Sequence, residues 1–523
     1  MKEAERALPP PDETPLPTAL SLDEVRRCTR LLEAMGQNRM LLAELPPQEK
    51  IALLSAAGRV VHPDRDTKSR LAKSLRRERK QTVQKHDRTL RATTEIRTLR
   101  REAVFTVPCL PPPPPSKAPE RLLAVPRKCY VCKGEYRKLH FFYDAMCVEC
   151  GDFNYAKRTQ RAPLDGKVAL ITGARVKIGY QASLMLLRSG ARVIATTRFP
   201  QDAAERYARE PDFADWSHRL HIHGLDLRHA PSVELFARHL EQTHHRLDIL
   251  INNAAQTVRR PPGFYAHLLE GELRPLGQLP AHTRPLLAGH RACIAAVRPA
   301  LGDAGTGGTA MATWRSSDPS LGIHSSAALS LLPYAMEQEG DTQALFPQGR
   351  LDADLQQVDL RGMNSWRMKL AEVSTAEMLE VHLVNAVAPF ILCGKLKPLM
   401  TRGRTTPGHI VNVSAMEGSF SRGTKTDRHP HTNMAKAALN MMTLTSAPDY
   451  AKDNLFMNAV DTGWVTDEDP ALYAERKQQD LDFQPPLDIV DGAARVVDPV
   501  ISAENTGQYV WGNFFKDYRH TAW

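Results

Sequence analysis

The spacing of apolar residues changes along the chain, and the changes divide it into parts. Residues 1–20 are proline-rich without apolar periodicity and read as disordered. At Ser21 a helix opens. Glu24 stands at capping-box distance, and Val25, Leu31, Leu32 and Met35 form a helical stripe behind it. A second helix is expected after Pro46 and Pro47, carrying Ile51, Leu53 and Leu54. The stretch that follows favours helix, but its few apolar positions predict an extended surface helix or one that needs a partner. This helical basic region spans 21–105. The prolines from Pro111 to Pro115 mark a stiff linker over 106–126. Beyond Lys167 short apolar runs alternate with helical segments: VALITG, ARVIATTR, LHIHGLD, LDILINNA, HIVNVS, LFMNAVDTG and finally GQYVWGN. Near-continuous apolar strands separated by helices predict an α/β fold over 165–523, a doubly wound parallel sheet covered on both faces. An insert at about 259–357 breaks the rhythm. Its middle, rich in Gly, Ala, Pro and His, predicts disorder with ordered ends near the cleft.

A chain of 523 residues is too long for one ordinary core and predicts two or three units. The net charge of +10 is concentrated between Arg59 and Arg101. Such a run meets nucleic acid or an acidic surface in some proteins; a solvated helix face is the plainer and favoured reading. No apolar leader and no long apolar run stands out, so the protein is expected in the cytoplasm with no membrane span.

Four of the eight cysteines form C-x2-C-x14-C-x2-C within 127–158: Cys129, Cys132, Cys147 and Cys150. Two short pairs each chelate from a tight turn, and four thiolates suit a closed, structural Zn2+ site in a zinc-ribbon-like module. A redox pair is the alternative, and two matched pairs argue against it. The module abuts the first strand of the sheet, which favours bracing over nucleic-acid binding.

That strand ends in a turn, Thr172 to Gly179, holding Gly173, Arg175, Lys177 and Ile178. Strand, glycine-bearing turn and helix together set a helix N-terminus against a pyrophosphate. Further matches follow at matching spacing: Asp226 after the third strand; Asn252, Asn253, Ala254 and Ala255 after the fourth; Asn385 in HLVNAVAPF; Ser414 in IVNVSAMEG; Lys436 in NMAKAALNMM; and the segment Asp461 to Thr466. With these the chain resembles the short-chain dehydrogenase/reductase family over about two-thirds of its length. The resemblance implies a Rossmann-like NAD(P)-binding fold, a small-molecule substrate and possible homo-oligomers. It implies that Asp226 meets the adenine, Ser414 polarises the substrate oxygen, Lys436 holds the nicotinamide ribose and Asn385 anchors a water relay.

Three positions depart from the family. Lys177 replaces the middle glycine of the turn, Ala255 replaces a glycine, and Thr432 stands four residues before Lys436 in place of the catalytic tyrosine. A phenol near pKa 10 is lowered by a lysine cation into a useful range, whereas a threonine hydroxyl is far less acidic and shorter. His429 and His431 flank the position as substitute acids, or belong to a polar loop. The second strand ends at Arg198 with no acid, and Arg175 and Lys177 add positive charge, which favours NADP(H) over NAD(H). Three functions are carried forward. The first is an NADP(H)-dependent oxidoreductase with an altered acid. The second is a catalytically impaired dinucleotide-binding module acting as sensor or scaffold. The third is a nucleic-acid-associated protein.

Overall fold

The computed structural model describes residues 21–102, 120–297, 318–332, 342–423 and 425–523. The expected disorder of 1–20, the five prolines, most of the linker and the centre of the insert fall outside the described residues. The chain divides into two compact units, one up to Gln84 and one from Lys85 to Trp523.

In the first unit the helix Leu22–Gln37 opens with the expected capping box. The Ser21 hydroxyl accepts from the Glu24 amide at 3.3 Å, and the Glu24 carboxylate accepts from the Ser21 amide at 2.7 Å. Neither this helix nor Pro47–Val61 buries a side chain. The basic stretch is the helix Arg65–Arg91, whose buried residues, Asp87 and Arg91, lie past Gln84 in the second unit.

The second unit begins with an antiparallel ribbon, β1 (Leu122–Lys128) and β2 (Glu135–Lys138). The strands β3 (Val168–Thr172), β4 (Arg192–Thr197), β5 (Leu220–Gly224), β6 (Ile249–Asn252), β7 (Gly408–Ser414), β8 (Leu455–Asp461), β9 (Phe514–Lys516) and β10 (Arg519–Thr521) form one sheet in the order β10-β9-β8-β7-β6-β3-β4-β5. All its pairings are parallel except β9 with β10. Strands β3 and β7 are buried at every residue, as their unbroken apolar runs require of a sheet covered on both faces. Strand order reverses between β3 and β6, and this opens a crevice at their carboxyl ends.

Three expectations change. The last strand is not GQYVWGN. Gly507 at φ +69° ends the helix Ile489–Thr506 as a left-handed cap, Gly512 turns again at φ +68°, and pairing starts only at Phe514. The described parts of the insert are folded, with helices Pro262–Glu272 and Ala288–Val297. The second of these buries His290, Cys293 and Val297, a helical spacing too short to stand out in a Gly- and Ala-rich background. Finally, the continuous helix Thr375–Thr401 is long and apolar enough to cross a membrane, but 56% of its most apolar window is buried, as a core helix requires.

The cysteine module shares its core with the sheet domain. Its Phe142, Tyr143 and Met146, with Ile96 and Leu123 from the segments before it, pack in one cluster with Leu186, Val490, Val497 and Ile501 of the Rossmann layers. The Tyr143 hydroxyl donates to Asp491 at 2.5 Å, and Arg158 pairs with Asp488 at 2.7 Å and Asp491 at 2.9 Å. Removing one partner from such buried charge sets is costly. The module therefore braces the helix Ile489–Thr506.

Candidate functional site

The crevice opens into a cavity of about 1530 Å³. Its floor is the turn after β3. Gly173 has φ +69°, and a Cβ there would lie 2.9 Å from the Ala254 Cα. A Cβ on Gly179 would meet the Gly173 carbonyl at 2.2 Å. The two glycines let the ends of β3 and β6 and the first turn of the helix Lys177–Arg188 close together, and Lys177, Ile178 and Gly179 of that turn line the cavity. Asn253 secures this approach through its side-chain N–H groups, donating to the Thr172 carbonyl at 2.9 Å and the Gly173 carbonyl at 3.2 Å. Lys177 adopts φ +55°, so it keeps the left-handed backbone that a glycine would supply. Ile178 lines the same floor beside Ala254 and Ala255.

The basic groups do not share one role. Arg175 is buried and donates to Asp202 at 2.7 Å, so its charge is neutralised inside the protein. Lys177 faces Glu468, which is held below the usual carboxylate range. Burial pushes that group up, and the Lys177 ammonium, the Thr466 hydroxyl, the Arg260 guanidinium and the Thr257 hydroxyl together outweigh it. Arg198 lines the cavity and donates to two neutral hydroxyls, Ser330 at 3.0 Å and Tyr265 at 2.7 Å. The Asp226 carboxylate also reaches the cavity wall, but Arg228 binds it at 2.7 Å.

At the other end stand Ser414, Thr432 and Lys436. The helix Pro430–Lys452 carries Thr432, Lys436 and Asn440 at intervals of four, on one face. The Ser414 hydroxyl donates to Asn440 Oδ1, a partner that sequence reasoning missed and that the four-residue interval from Lys436 would have pointed to. Lys436 Nζ donates to the Val413 carbonyl at 2.8 Å. Burial lowers its pKa to about 8, against the opposing pull of Glu417 and Asp461. The Thr432 hydroxyl is buried without a hydrogen-bond partner among the described residues.

Two predicted residues stand one layer back. Asn252 donates to Asn412 at 2.8 Å, and Asn385 spends both ends of its amide on the Gln256 backbone at 2.8 and 2.9 Å. Neither lines the cavity. The two histidines separate as well. His429 reaches the cavity, stacked on Trp366 with centroids 4.0 Å apart, and burial lowers its pKa. His431 does not line the cavity, and its Nε2 lies 3.8 Å from Glu377; His429 is the left-handed N-cap before the helix, whereas His431 lies in its first turn.

The cysteine module reaches this cavity. Tyr130, inside the first cysteine pair, accepts a hydrogen bond from the Trp464 amide at 3.0 Å, so it holds the segment after β8. The four sulfurs of Cys129, Cys132, Cys147 and Cys150 lie within 4.8 Å of one another, with Cys132 and Cys147 at 3.8 Å. Tetrahedral thiolates at ~2.3 Å from a zinc ion stand about 3.8 Å apart. Burial, with the neighbouring sulfurs, pushes the Cys150 thiol up, a cost that a bound dication would offset.

Comparison with known proteins agrees with this geometry. The short chain dehydrogenase profile matches residues 167–267, and the enoyl-(acyl carrier protein) reductase profile matches residues 348–483. The unmatched residues between them belong to the insert. An uncharacterised protein of Acanthamoeba polyphaga mimivirus is 28% identical over 406 residues, 75% of this chain and 74% of that protein. Human retinol dehydrogenase 13 is 34% identical over 94 residues, 18% of this chain and 28% of its own length, so the match spans under a third of that relative. The NADPH-bound carbonyl reductase from chicken fatty liver aligns over 69% of this chain and all of its own, at 16% identity and TM-score 0.40. The profile matches and the strand order support a short-chain dehydrogenase/reductase Rossmann fold for this domain.

Proposed function

We propose that the protein is an NADP(H)-dependent oxidoreductase acting on a small carbonyl or alcohol substrate, with Thr432 in the place of the usual acid. The observation that carries this reading is the shared cavity. A glycine cradle and helix N-terminus at one end suit a dinucleotide, and Ser414, Thr432 and Lys436 line the other. NADP(H) is favoured over NAD(H) because Arg198 directly follows β4, where no acidic residue stands in sequence, and Arg228 already binds the Asp226 carboxylate. When bound, the dinucleotide supplies or accepts the hydride. Ser414 is placed to orient the substrate oxygen after turning from Asn440, and Lys436 to bind ribose hydroxyls. Thr432 orients by hydrogen bonding and does not supply the proton. His429 is the histidine that lines the wall nearby.

A general acid is typically worth ~100- to 10,000-fold in rate. Native turnover on generic ketones should therefore be slow, and Thr432→Tyr should raise it. NADPH oxidation by both proteins across a carbonyl panel tests this. Activity in either that Ser414→Ala and Lys436→Ala leave unchanged would refute the assignment.

A second reading, a dinucleotide-binding module without turnover, is favoured by one observation. Among the described residues the Thr432 hydroxyl has no partner, and the Ser414 hydroxyl is already spent on Asn440. It predicts NADPH binding with no reduction by any of these variants. The cysteine cluster is assigned to a structural zinc ion. The closed four-sulfur set leaves no open position for chemistry.

A further inference from the structure

We infer that the insert is a cofactor-selecting element, in which Tyr265 and Ser330 preorganise Arg198 as the receptor for a phosphate monoester on the adenosine ribose. This rests on the NADP(H) reading of the site and adds to it the residues that set the preference.

The insert contacts the end of the cavity beside β4 and β5 at several independent points. Tyr265 lies on the helix Pro262–Glu272, and Ser330 on the short turn Ala328–Leu331. From these two elements, far apart in sequence, their hydroxyls converge on one guanidinium, at 2.7 and 3.0 Å. The Arg198 guanidinium also sits 4.5 Å from the Tyr265 ring centroid, which restricts its plane. The backbone is fixed as well. Ser326 donates to the Arg198 carbonyl at 2.8 Å, and the Gly322 carbonyl accepts from the Asp226 amide at 2.7 Å.

The chemistry of these partners is selective. Among the described residues, Arg175 and Arg228 are paired with carboxylates, whereas Arg198 makes no ion pair and is held by neutral groups. A guanidinium hydrogen-bonded by hydroxyls is not neutralised by a direct ion pair, and the carboxylate that feels its charge, Asp226, is itself paired with Arg228. Arg198 also has more N–H groups than its two partners use, and it faces the cavity. A doubly charged phosphate monoester gains charge-assisted hydrogen bonds from such a group, and a ribose hydroxyl gains little. Fixing the side chain beforehand removes much of the ordering cost of binding.

The test measures NADPH and NADH affinities by calorimetry on the full chain, for the native protein, Arg198→Ala, and a Tyr265→Phe/Ser330→Ala double variant. The double variant keeps the aromatic ring, Arg198 and its charge. The expected results are a clear native preference for NADPH, its loss in Arg198→Ala, and a fall of about tenfold in NADPH affinity in the double variant with NADH affinity held. If Arg198→Ala abolishes the preference and the double variant retains it in full, the inference is overturned and the cofactor reading stands. Equal losses for both nucleotides would assign the hydroxyls to general support of the fold and also overturn it. A native protein without preference would remove the cofactor reading and the inference together.

Discussion

Lys436 and Thr432 are four residues apart, and their buried polar groups make different demands. The Lys436 ammonium is buried, and its pKa falls from 10.5 to about 8. Across that window the unfolded chain binds more protons than the folded one, so stability rises as pH goes from 8 to 10.5. Below pH 8 the buried cation exerts its full cost. Lys436→Met should therefore stabilise the protein at pH 7.5 and lose that advantage by pH 10, read as urea midpoints of both proteins at each pH. An unchanged difference between them would show that Lys436 is not desolvated. Thr432 offers a simpler contrast. Its hydroxyl has no partner among the described residues, so Thr432→Val should be neutral or stabilising by about 1 kcal/mol in thermal melts, with NADPH affinity retained. A loss above that amount would reveal a hydrogen bond to the hydroxyl. At this scale the sequence shows residue types at motif spacing, and Gly173, Ser414, Thr432 and Lys436 do meet at one cavity. It does not show which partner each polar group takes. Asp202 neutralises Arg175, Asn440 binds Ser414, and Gln256 occupies Asn385, all through contacts made only once the chain is folded.

Among the elements, the cysteine module shows how local spacing and tertiary contact divide the information. The cysteine spacing was readable because each C-x2-C pair is local in sequence. The packing on Asp488 and Asp491 was not, since those carboxylates lie more than 300 residues away. The prediction follows from both. The protein should hold about one zinc per chain, and Cys147→Ser with Cys150→Ser should remove it. Because the module shares its core with the helix Ile489–Thr506, metal loss should also lower the melting midpoint of the whole domain by at least about 5 °C. Elemental analysis paired with calorimetry checks both parts. Full zinc content in the double variant, or an unchanged midpoint in its metal-free form, would contradict the bracing role. The misplaced last strand has a comparable origin. GQYVWGN has strand-forming residues, but glycines at positive φ at Gly507 and Gly512 set where pairing starts.

For the whole molecule, the apolar rhythm beyond Lys167 was enough to predict a doubly wound sheet, because burial on both faces leaves a strong trace in every strand. The insert left a faint one, since its helices are short and their apolar residues are spaced among Gly and Ala. The central claim is that the cavity at the reversal of strand order holds a nicotinamide dinucleotide. The most direct measurement is a titration of the full chain with NADPH, followed by nicotinamide fluorescence and displaced with NADP+. The account predicts saturable binding at one site per chain, fully displaced by NADP+. A folded, zinc-loaded protein that shows no saturable NADPH binding up to millimolar nucleotide would contradict it.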